Sequence, residues 1–324
     1  MLFLRYYNII RVVTGYLLSR MTHRPIQSGM PISFSAEPTT RCNLHCPECP
    51  TGRRELSRDS GTMDLALFRK VADELSRHAL YLTLYFQGEP FLHPSFFDMV
   101  RYAKSRKLFI STSTNGHFLE PAPAMETVRC GLDRLIVSLD GATQESYSAY
   151  RRGGDFHKVV KGLHHLADAK KSMKASHPST IVQCLLLRSN QHEKKQIRKI
   201  AKEVSAKMTF KTAQFYDFEH GNELMPDQET DARYKLKSDS ANSGYVIKNP
   251  MPNSCFRMWS SCVITWDGLV VPCCFDKDAS HVMGDLKKQS FEEIWKGEKY
   301  REFRRQLLSD RKRIEICKNC SQKY

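Results

Sequence analysis

Six short apolar segments alternate with helical patterns between residue 32 and about residue 216, and this alternation strongly constrains the fold. Between the segments, apolar residues recur every four positions, as at Leu67, Val71 and Leu75, which indicates helices with one buried face. Repeated strand–helix units form a parallel sheet covered by helices. Because a closed barrel of this type needs eight units, the sequence predicts an α/β fold with a partial (β/α)6 TIM-type barrel. The predicted strands lie in 32–38, 80–86, 108–114, 134–140, 180–187 and 208–215.

The segments that flank the barrel have a different character. The first 30 residues carry an apolar pattern that Arg5 and Arg11 interrupt, which predicts an amphipathic helix rather than a signal peptide. We expect this helix to pack against the barrel, and a second interpretation places it on a membrane surface as a peripheral contact. No run of 18 apolar residues occurs, so no membrane-spanning helix is expected. The predicted parts are a helical extension (1–30), the barrel (31–220), a polar linker (221–250) and a small α+β cysteine-rich domain (251–324).

Two local signals mark the C-terminal part. Asp267-Gly268 separates two apolar runs and predicts a hairpin with a two-residue turn. Ser290 and Glu293 form a capping box that opens a helix. The basic residues that follow are interpreted as a solvated face. They are Arg301, Arg304, Arg305, Arg311, Lys312 and Arg313.

Composition and charge narrow the class of protein. Hydrophobic residues are 41% of the 324 residues, which is typical of a globular chain with a sizeable core and not of a disordered one. Fifty Lys and Arg against 35 Asp and Glu give a net charge of +15, which is compatible with an anionic substrate. The eleven cysteines are odd in number and clustered, which argues against a disulfide framework. We therefore expect reduced thiolates that bind metal, and a cytoplasmic location.

Three cysteines, Cys42, Cys46 and Cys49, follow the first predicted strand, at the end where parallel barrels place their chemistry. Three thiolates this close can hold one face of a cubane iron–sulfur cluster. A structural zinc site uses four closed ligands, and only His45 lies near enough in sequence to be the fourth. The pattern therefore predicts a [4Fe-4S] cluster with one open iron, and the alternatives are a zinc knuckle that includes His45, or incidental cysteines.

This Cys-x3-Cys-x2-Cys pattern resembles the signature of radical S-adenosylmethionine (SAM) enzymes. The resemblance continues, in the family's order, at Gln87–Pro90, Ser113–Gly116, Ser138–Gly141 and Tyr150–Gly154. It implies that Glu89 binds the SAM amino group, that Arg151 pairs with the SAM carboxylate, and that Leu187 flanks the adenine. The cofactor-binding residues implied in this way are Gly88, Glu89, Asn115, Ser138, Arg151 and Leu187.

Two positions depart from the family's pattern. Gln87 replaces the first glycine of a Gly-Gly-Glu segment. Glu48 precedes the last cysteine of the first set, where the family commonly has an aromatic residue that contacts adenine. An adenine contact from the Glu48 side chain is therefore not expected, although its backbone can still contribute one.

A second set of cysteines resembles the SPASM and twitch auxiliary-cluster domains of the same superfamily. Because the chain ends shortly after the final Cys-x2-Cys pair, we expect one auxiliary [4Fe-4S] cluster. The two-residue turn would place Cys262 opposite Cys273, so Cys262 competes with Cys255 as a ligand, and the resemblance in spacing favours Cys255. A four-cysteine zinc ribbon is the alternative. The implied ligands are Cys255, Cys273, Cys317 and Cys320, whereas Cys130, Cys184 and Cys274 are interpreted as packing residues.

The resemblance implies reductive cleavage of SAM to a 5′-deoxyadenosyl radical, with an electron from a reductant such as flavodoxin or ferredoxin. Because an auxiliary cluster can accept a second electron, we expect a two-electron oxidation, with dehydrogenation of a small-molecule alcohol favoured. One alternative is a peptide-modifying maturase. The other is a non-enzymatic zinc protein that binds nucleic acid, which we favour less. The residues identify neither the substrate nor a catalytic acid or base.

Overall fold

The computed structural model describes residues 2–237, 244–248 and 251–320. Within these residues the strands are β1 (Ser33–Ala36), β2 (Tyr81–Thr83), β3 (Phe109–Thr114), β4 (Arg134–Ser138), β5 (Ser179–Leu186), β6 (Lys207–Thr212), β7 (Tyr234–Leu236), β8 (Tyr245–Ile247), β9 (Ser261–Ile264), β10 (Leu269–Val271) and β11 (Gly284–Asp285). The helices are α1 (Leu2–Thr22), α2 (Pro50–Arg53), α3 (Leu65–Leu75), α4 (Phe96–Ser105), α5 (Pro121–Arg129), α6 (Gln144–Tyr150), α7 (Phe156–Ser172), α8 (Lys194–Glu203), α9 (Arg257–Ser260), α10 (Phe291–Lys296) and α11 (Glu298–Asp310).

The chain forms two compact units whose boundaries cut across the sequence order. The first contains Met1–Arg41, Leu56–Ser111 and Met251–Tyr324, and the second contains Cys42–Glu55 and Thr112–Pro250. The first cysteine loop therefore belongs to the second unit, whereas the C-terminal cysteines belong to the first. Strand β3 contributes its first half to the first unit and its second half to the other.

In the first unit the strand order is β11-β10-β9-β1-β2-β3. Strands β1, β2 and β3 are parallel, and β9 also pairs with β1 in parallel. Phe34 of β1 lies level with Leu82 of β2 and with Cys262 of β9, and all three side chains are buried. Strands β10 and β11 extend this edge in antiparallel fashion. This part of the sheet therefore joins N-terminal barrel strands to C-terminal ones.

In the second unit the order continues as β3-β4-β5-β6, with β4, β5 and β6 parallel. Side chains along β5 alternate between buried and half-buried, as expected where one face of a sheet meets the core. Helices α5 and α7 pack against each other. Asp155 is the N-cap of α7, and its carboxylate accepts a hydrogen bond from the Lys158 backbone nitrogen.

All six strands predicted from the apolar segments are present, and so is the helix predicted from the Ser290 and Glu293 capping box. The α/β fold with a partial barrel is confirmed. None of the helices in the described part of the chain combines the length and hydropathy that a membrane span requires.

Two sequence interpretations are wrong. Thr265 lies opposite Leu269: its backbone nitrogen donates to the Leu269 oxygen over 2.9 Å, and its hydroxyl donates to the same oxygen over 3.2 Å. The hairpin therefore has a three-residue loop in which Gly268 has φ +91°. The sequence could not reveal this extra residue, because a Gly at the third position of a longer loop gives the same signal. Two of the six basic residues taken as solvated, Arg304 and Arg311, are each only 1% exposed.

The polar stretch interpreted as a linker contains regular secondary structure. Strands β7 and β8 pair there as an antiparallel ladder, with Lys235 opposite Val246, and Tyr234 is buried. Its residues 238–243 and 249–250 lie outside the described residues.

Candidate active site

The first cysteine loop lies between β1 and α2, in the second unit. Cys46 is buried, and the half-buried Cys42 and Cys49 pack against the same apolar cluster. Cys49 precedes α2, whose first residue is Pro50, a favoured position for proline. A Cβ on Gly52 would lie 2.6 Å from the Cys46 nitrogen, so glycine is required for α2 to approach the loop. The three thiols are thus presented by one tightly packed turn.

A buried ion pair stands beside Cys46. Arg151 donates from Nε to Asp140 Oδ2 over 2.5 Å, and its Nη1 lies 3.9 Å from the Cys46 sulfur. Asp140 also accepts a 2.6 Å bond from the Leu185 nitrogen. Burial opposes the charged form of Arg151, but Asp140 and Cys46 raise its pKa well above the usual value. A fixed cation therefore faces the cysteine loop.

The same cation acts on the thiol itself. Burial raises the pKa of Cys46, and the Arg151 guanidinium counters this by lowering it. Because a metal-binding cysteine must be a thiolate, Arg151 favours the ligand form of Cys46. This effect on Cys46 is additional to the pairing of Arg151 with the SAM carboxylate that the family resemblance implies.

Asn115 and Ser138 lie after and at the end of neighbouring strands. The Asn115 amide donates to Asn43 Oδ1 over 2.7 Å, and its oxygen accepts from the His117 nitrogen over 3.0 Å. Since Asn43 adjoins Cys42, Asn115 braces the cysteine loop. Ser138 is the buried last residue of β4.

An apolar wall surrounds the loop on its inner side. Leu187, Tyr150, Phe215 and Tyr234 belong to the cluster that includes Cys46, and Leu187 is fully buried. The Leu187 nitrogen donates to the Asn190 side chain over 2.9 Å. This wall excludes water from one side of the cysteine loop.

Glu48 has a structural explanation in this fold. Its carboxylate accepts hydrogen bonds from the Tyr216 nitrogen (3.1 Å) and from the Asn222 amide (2.8 Å). The residue that departs from the family pattern therefore ties residues 216–222 to the cysteine loop. These partners are 168 and 174 positions away in sequence, so no local pattern could have shown the contact.

Gly88 and Glu89 lie in the first unit, after β2. Gly88 has φ +72°, and a Cβ there would lie 2.3 Å from the Thr39 oxygen. Glu89 is 1% exposed and its nitrogen donates to the Arg41 oxygen over 2.7 Å. Its carboxylate accepts from the Phe91 nitrogen over 3.2 Å. The glycine is therefore required by close backbone approach, and Glu89 is held by the turn that follows it.

The second cysteine set lies in the first unit, and three of its four members interact with one buried arginine. Arg311 donates to the Ser254 oxygen over 3.1 Å, next to Cys255, and interacts electrostatically with Cys255, Cys317 and Cys320. The pKa of Cys317 is raised to about 11, because the effect of burial outweighs the lowering effect of Arg311. Cys320 is buried, and its nitrogen donates to the Cys317 oxygen. Cys273 also interacts electrostatically with Cys255.

Cys262 has different surroundings from Cys255. The three-residue loop shifts the hairpin register, with Val271 opposite Val263, so Cys262 falls opposite Pro272 rather than Cys273. Its side chain lies in β9, level with Phe34 of β1, and burial raises its pKa. The geometry on which Cys262 competed as a ligand is therefore absent.

Cys274 combines packing with a polar contact. It packs against Phe86, Val263 and Val271, and Arg257 donates to its sulfur over 3.5 Å. A hydrogen bond with Cys273 lowers the pKa of Cys274, and Arg257 adds to this effect.

The donor chemistry of both sets fits iron–sulfur clusters. In the described part of the chain, no three Cys, His, Asp or Glu side chains converge on a single metal ion. In a cubane each thiolate binds a different iron, so its ligands spread further apart than the four ligands of one zinc ion. In each set an arginine guanidinium lies beside thiols and favours their thiolate form. His45, the fourth ligand in the zinc alternative, is exposed.

The roles of two site residues, Asp140 and Asn190, could not be predicted from the sequence. Asp140 lies in a segment that the resemblance included, but its pairing with Arg151 depends on packing. Asn190 donates to the Asp140 oxygen and the Leu185 oxygen, each over 2.9 Å, and joins the ends of β4 and β5. A polar residue three positions after a buried strand was its only signal.

Two family models match the chain. The radical SAM superfamily model matches residues 36–204, more than half of the chain, and the SPASM iron–sulfur cluster-binding domain matches residues 255–321.

The chain is 26% identical over 317 residues to the tungsten-containing aldehyde ferredoxin oxidoreductase cofactor-modifying protein of Pyrococcus furiosus, covering 88% of this chain and 86% of that protein. Over 286 residues it is 26% identical to PqqA peptide cyclase of Gluconobacter oxydans (82% and 76% covered). A 139-residue match to mycofactocin maturase of Mycobacterium ulcerans is 33% identical and covers 43% of this chain and 37% of that protein.

Two solved structures show the same fold. BtrN in complex with AdoMet and 2-DOIA matches with a TM-score of 0.55 and 19% identity, over 90% of this chain and 94% of that one. The anSMEcpe structure with bound AdoMet matches with a TM-score of 0.61 and 18% identity, over 86% and 84%. Radical SAM domains bind SAM at a [4Fe-4S] cluster, and SPASM domains hold auxiliary iron–sulfur clusters. The chain belongs to the radical SAM superfamily of enzymes and carries a C-terminal SPASM domain.

Proposed function

We propose that this enzyme is an oxidoreductase that removes two electrons from a small-molecule alcohol. The observation that carries the proposal is the second set of cysteines: Cys255, Cys317 and Cys320 interact with the cation of Arg311, and Cys273 interacts with Cys255. A relative named for modifying a cofactor, matched over most of both chains, supports a small-molecule substrate. The net charge of +15 is compatible with an anionic one.

The family resemblance supports the proposed residues of the first site. Cys42, Cys46 and Cys49 would hold the SAM-binding cluster, with Arg151 and Glu89 as counter-charges for the two charged ends of the amino acid part of SAM. Leu187 would contribute apolar contact to the adenine. Gly88, Asn115 and Ser138 complete the proposed contacts. When bound, cluster and SAM supply a 5′-deoxyadenosyl radical that takes a hydrogen atom from a substrate carbon.

The second site would accept the remaining electron. Loss of a hydrogen atom, an electron and the hydroxyl proton converts an alcohol to a carbonyl compound, while SAM is reduced to methionine and 5′-deoxyadenosine. Four ligands (Cys255, Cys273, Cys317 and Cys320) would close the coordination of one auxiliary cluster, which would then exchange electrons rather than bind substrate. A small electron carrier such as flavodoxin or ferredoxin would reduce the first cluster.

The proposed domain boundaries are 31–220 and 251–324, with the extension and linker around them. These ranges include the two matched segments, 36–204 and 255–321. We propose the cytoplasm as the compartment, because thiolates of both sets must stay reduced to bind iron.

A peptide substrate is the second candidate. The observation that favours it is the match to a protein named PqqA peptide cyclase over 82% of this chain. Hydrogen abstraction and loss of an electron could then oxidise or cross-link a side chain.

The test separates the two cysteine sets. In Cys317→Ala/Cys320→Ala, reconstituted without oxygen, we expect about half of the iron to be lost, SAM cleavage to continue and substrate oxidation to stop. Cys130→Ala, which removes a buried cysteine outside both sets, is the matched control and should keep its iron. Loss of SAM cleavage in a folded double variant with its first cluster intact would refute the division of labour.

The substrate class is tested by deuterium transfer. Deuterated alcohols and peptides are supplied in parallel, and 5′-deoxyadenosine is analysed by mass spectrometry. Transfer from alcohols supports the proposal, and transfer from peptides alone selects the second candidate.

A further inference from the structure

Helix α1 is firmly attached to the first unit along one face. The buried Arg5 guanidinium donates to the backbone oxygens of Ser76, Arg106 and Lys107 over 2.7 to 2.9 Å. Asn8 exchanges two hydrogen bonds with the Met30 backbone. The helix is therefore a fixed part of the unit, and its remaining surface is presented in one orientation.

The opposite face of α1 is apolar and exposed. We call this the outward face, and its most exposed residues are Phe3, Tyr6, Ile10 and Met21, with Tyr7 and Leu17 beside them. Their exposed fractions are 80%, 60%, 63%, 78%, 52% and 49%. Nine of the twelve large hydrophobic residues exposed in the described part of the chain lie on α1. A contiguous exposed apolar face of this kind marks an interaction surface, so the outward face needs a partner.

The charges around this face have one sign. No Asp or Glu occurs before Glu37, whereas Arg11, Arg20 and Arg24 are all exposed. At about 100° per residue, Arg11 and Arg20 project from opposite flanks of the outward face. Glu292 is an acidic residue that interacts electrostatically with Arg11. Its carboxylate is already paired with Lys296 over 2.5 Å.

We propose that the outward face docks on the surface of an anionic lipid bilayer. Apolar and aromatic side chains would enter the boundary between headgroups and acyl chains, and the flanking arginines would reach lipid phosphates. A second copy of this chain fits less well. A two-fold contact would bring the arginines of both copies together with no acidic residue on the helix to neutralise them.

The experiment is vesicle flotation of the full chain after anaerobic reconstitution. Vesicles are made of phosphatidylcholine alone or with about a third phosphatidylglycerol. We expect the protein to float with the anionic vesicles, and to be released when the ionic strength rises from about 0.1 M to about 1 M. Ile10→Glu/Leu17→Glu should reduce the vesicle-bound fraction at least about tenfold. The matched control, Leu236→Glu, changes a 64% exposed leucine elsewhere and should bind as wild type does.

Melting temperature and SAM cleavage show whether each variant is folded, because Ile10 and Leu17 touch no proposed cofactor site. Arg11→Ala/Arg20→Ala should weaken binding and reduce its salt dependence. If the wild-type protein floats with neither type of vesicle, the proposal is overturned. If it binds both types equally, the choice of an anionic surface is overturned. A dimer that Ile10→Glu/Leu17→Glu dissociates, without vesicle binding, would assign the face to self-association instead.

Discussion

The Arg151–Asp140 pair allows a sharp test of how the first site is built. Asp140 is fully buried and Arg151 is 16% exposed, with 2.5 Å between Nε and Oδ2. Asp140→Asn removes the carboxylate and leaves a largely buried guanidinium without its ion-pair partner, beside the Cys46 sulfur and the Tyr150 ring. Removing one partner of a buried pair costs about 3–5 kcal/mol, and since the arginine keeps some access to water, we expect a loss of about 3 kcal/mol in the free energy of unfolding.

The measurement is urea unfolding of the apoprotein without oxygen, followed by SAM titration of the reconstituted enzyme. The matched control is Glu37→Gln, which breaks an equally buried pair with Arg58 (2.6 Å) outside the proposed cofactor contacts. Both variants should lose stability, but only Asp140→Asn should weaken SAM binding, by about tenfold, or about 1.4 kcal/mol. Asp140→Leu/Arg151→Met should recover stability and still bind SAM poorly. Wild-type stability and affinity in Asp140→Asn would refute the reasoning.

Three further variants test other parts of the two sites. Glu89→Gln keeps the hydrogen-bond acceptor for the following turn but removes the charge, so SAM titration should show weaker binding at an unchanged melting temperature. Glu48→Ala loses the bonds from Tyr216 and Asn222, and we expect about 1–3 kcal/mol of destabilisation with faster proteolysis of residues 216–222; a protease pattern like that of the wild type would contradict this. Arg311→Met should lower the reduction potential of the auxiliary cluster in an EPR-monitored titration, whereas Arg311→Lys should restore most of it.

The sequence predicts those features that depend on local periodicity or spacing. The six strands are predictable because buried strands are short apolar runs. The start of α10 is predictable because Ser290 and Glu293, which bond to each other there, are only three positions apart in sequence. The first cysteine loop was recognisable because its three thiols lie within eight residues.

Long-range contacts could not be predicted in this way. Arg304 and Arg311 carry a charge that favours the surface. Arg304 is buried because it stacks on Trp295 and donates to the Met258 and Trp295 oxygens. Arg311 is buried because it donates to the Pro252 and Ser254 oxygens. The hairpin register shifted by one residue because the turn residues do not specify loop length. Similarly, nothing local indicated that Glu48 would hold Asn222.

The two buried arginines point to different electrostatic roles for the two cysteine sets. Arg151 is paired with Asp140, which offsets part of its charge, so the first set gains less net positive charge from its arginine. Arg311 is held instead by the backbone oxygens of Pro252 and Ser254, so its charge remains available to Cys255 and its neighbours. Since positive charge near a cluster stabilises the reduced form, a cluster held by the second set would accept an electron more readily than one held by the first. This asymmetry is what an oxidation that takes a second electron from the substrate requires.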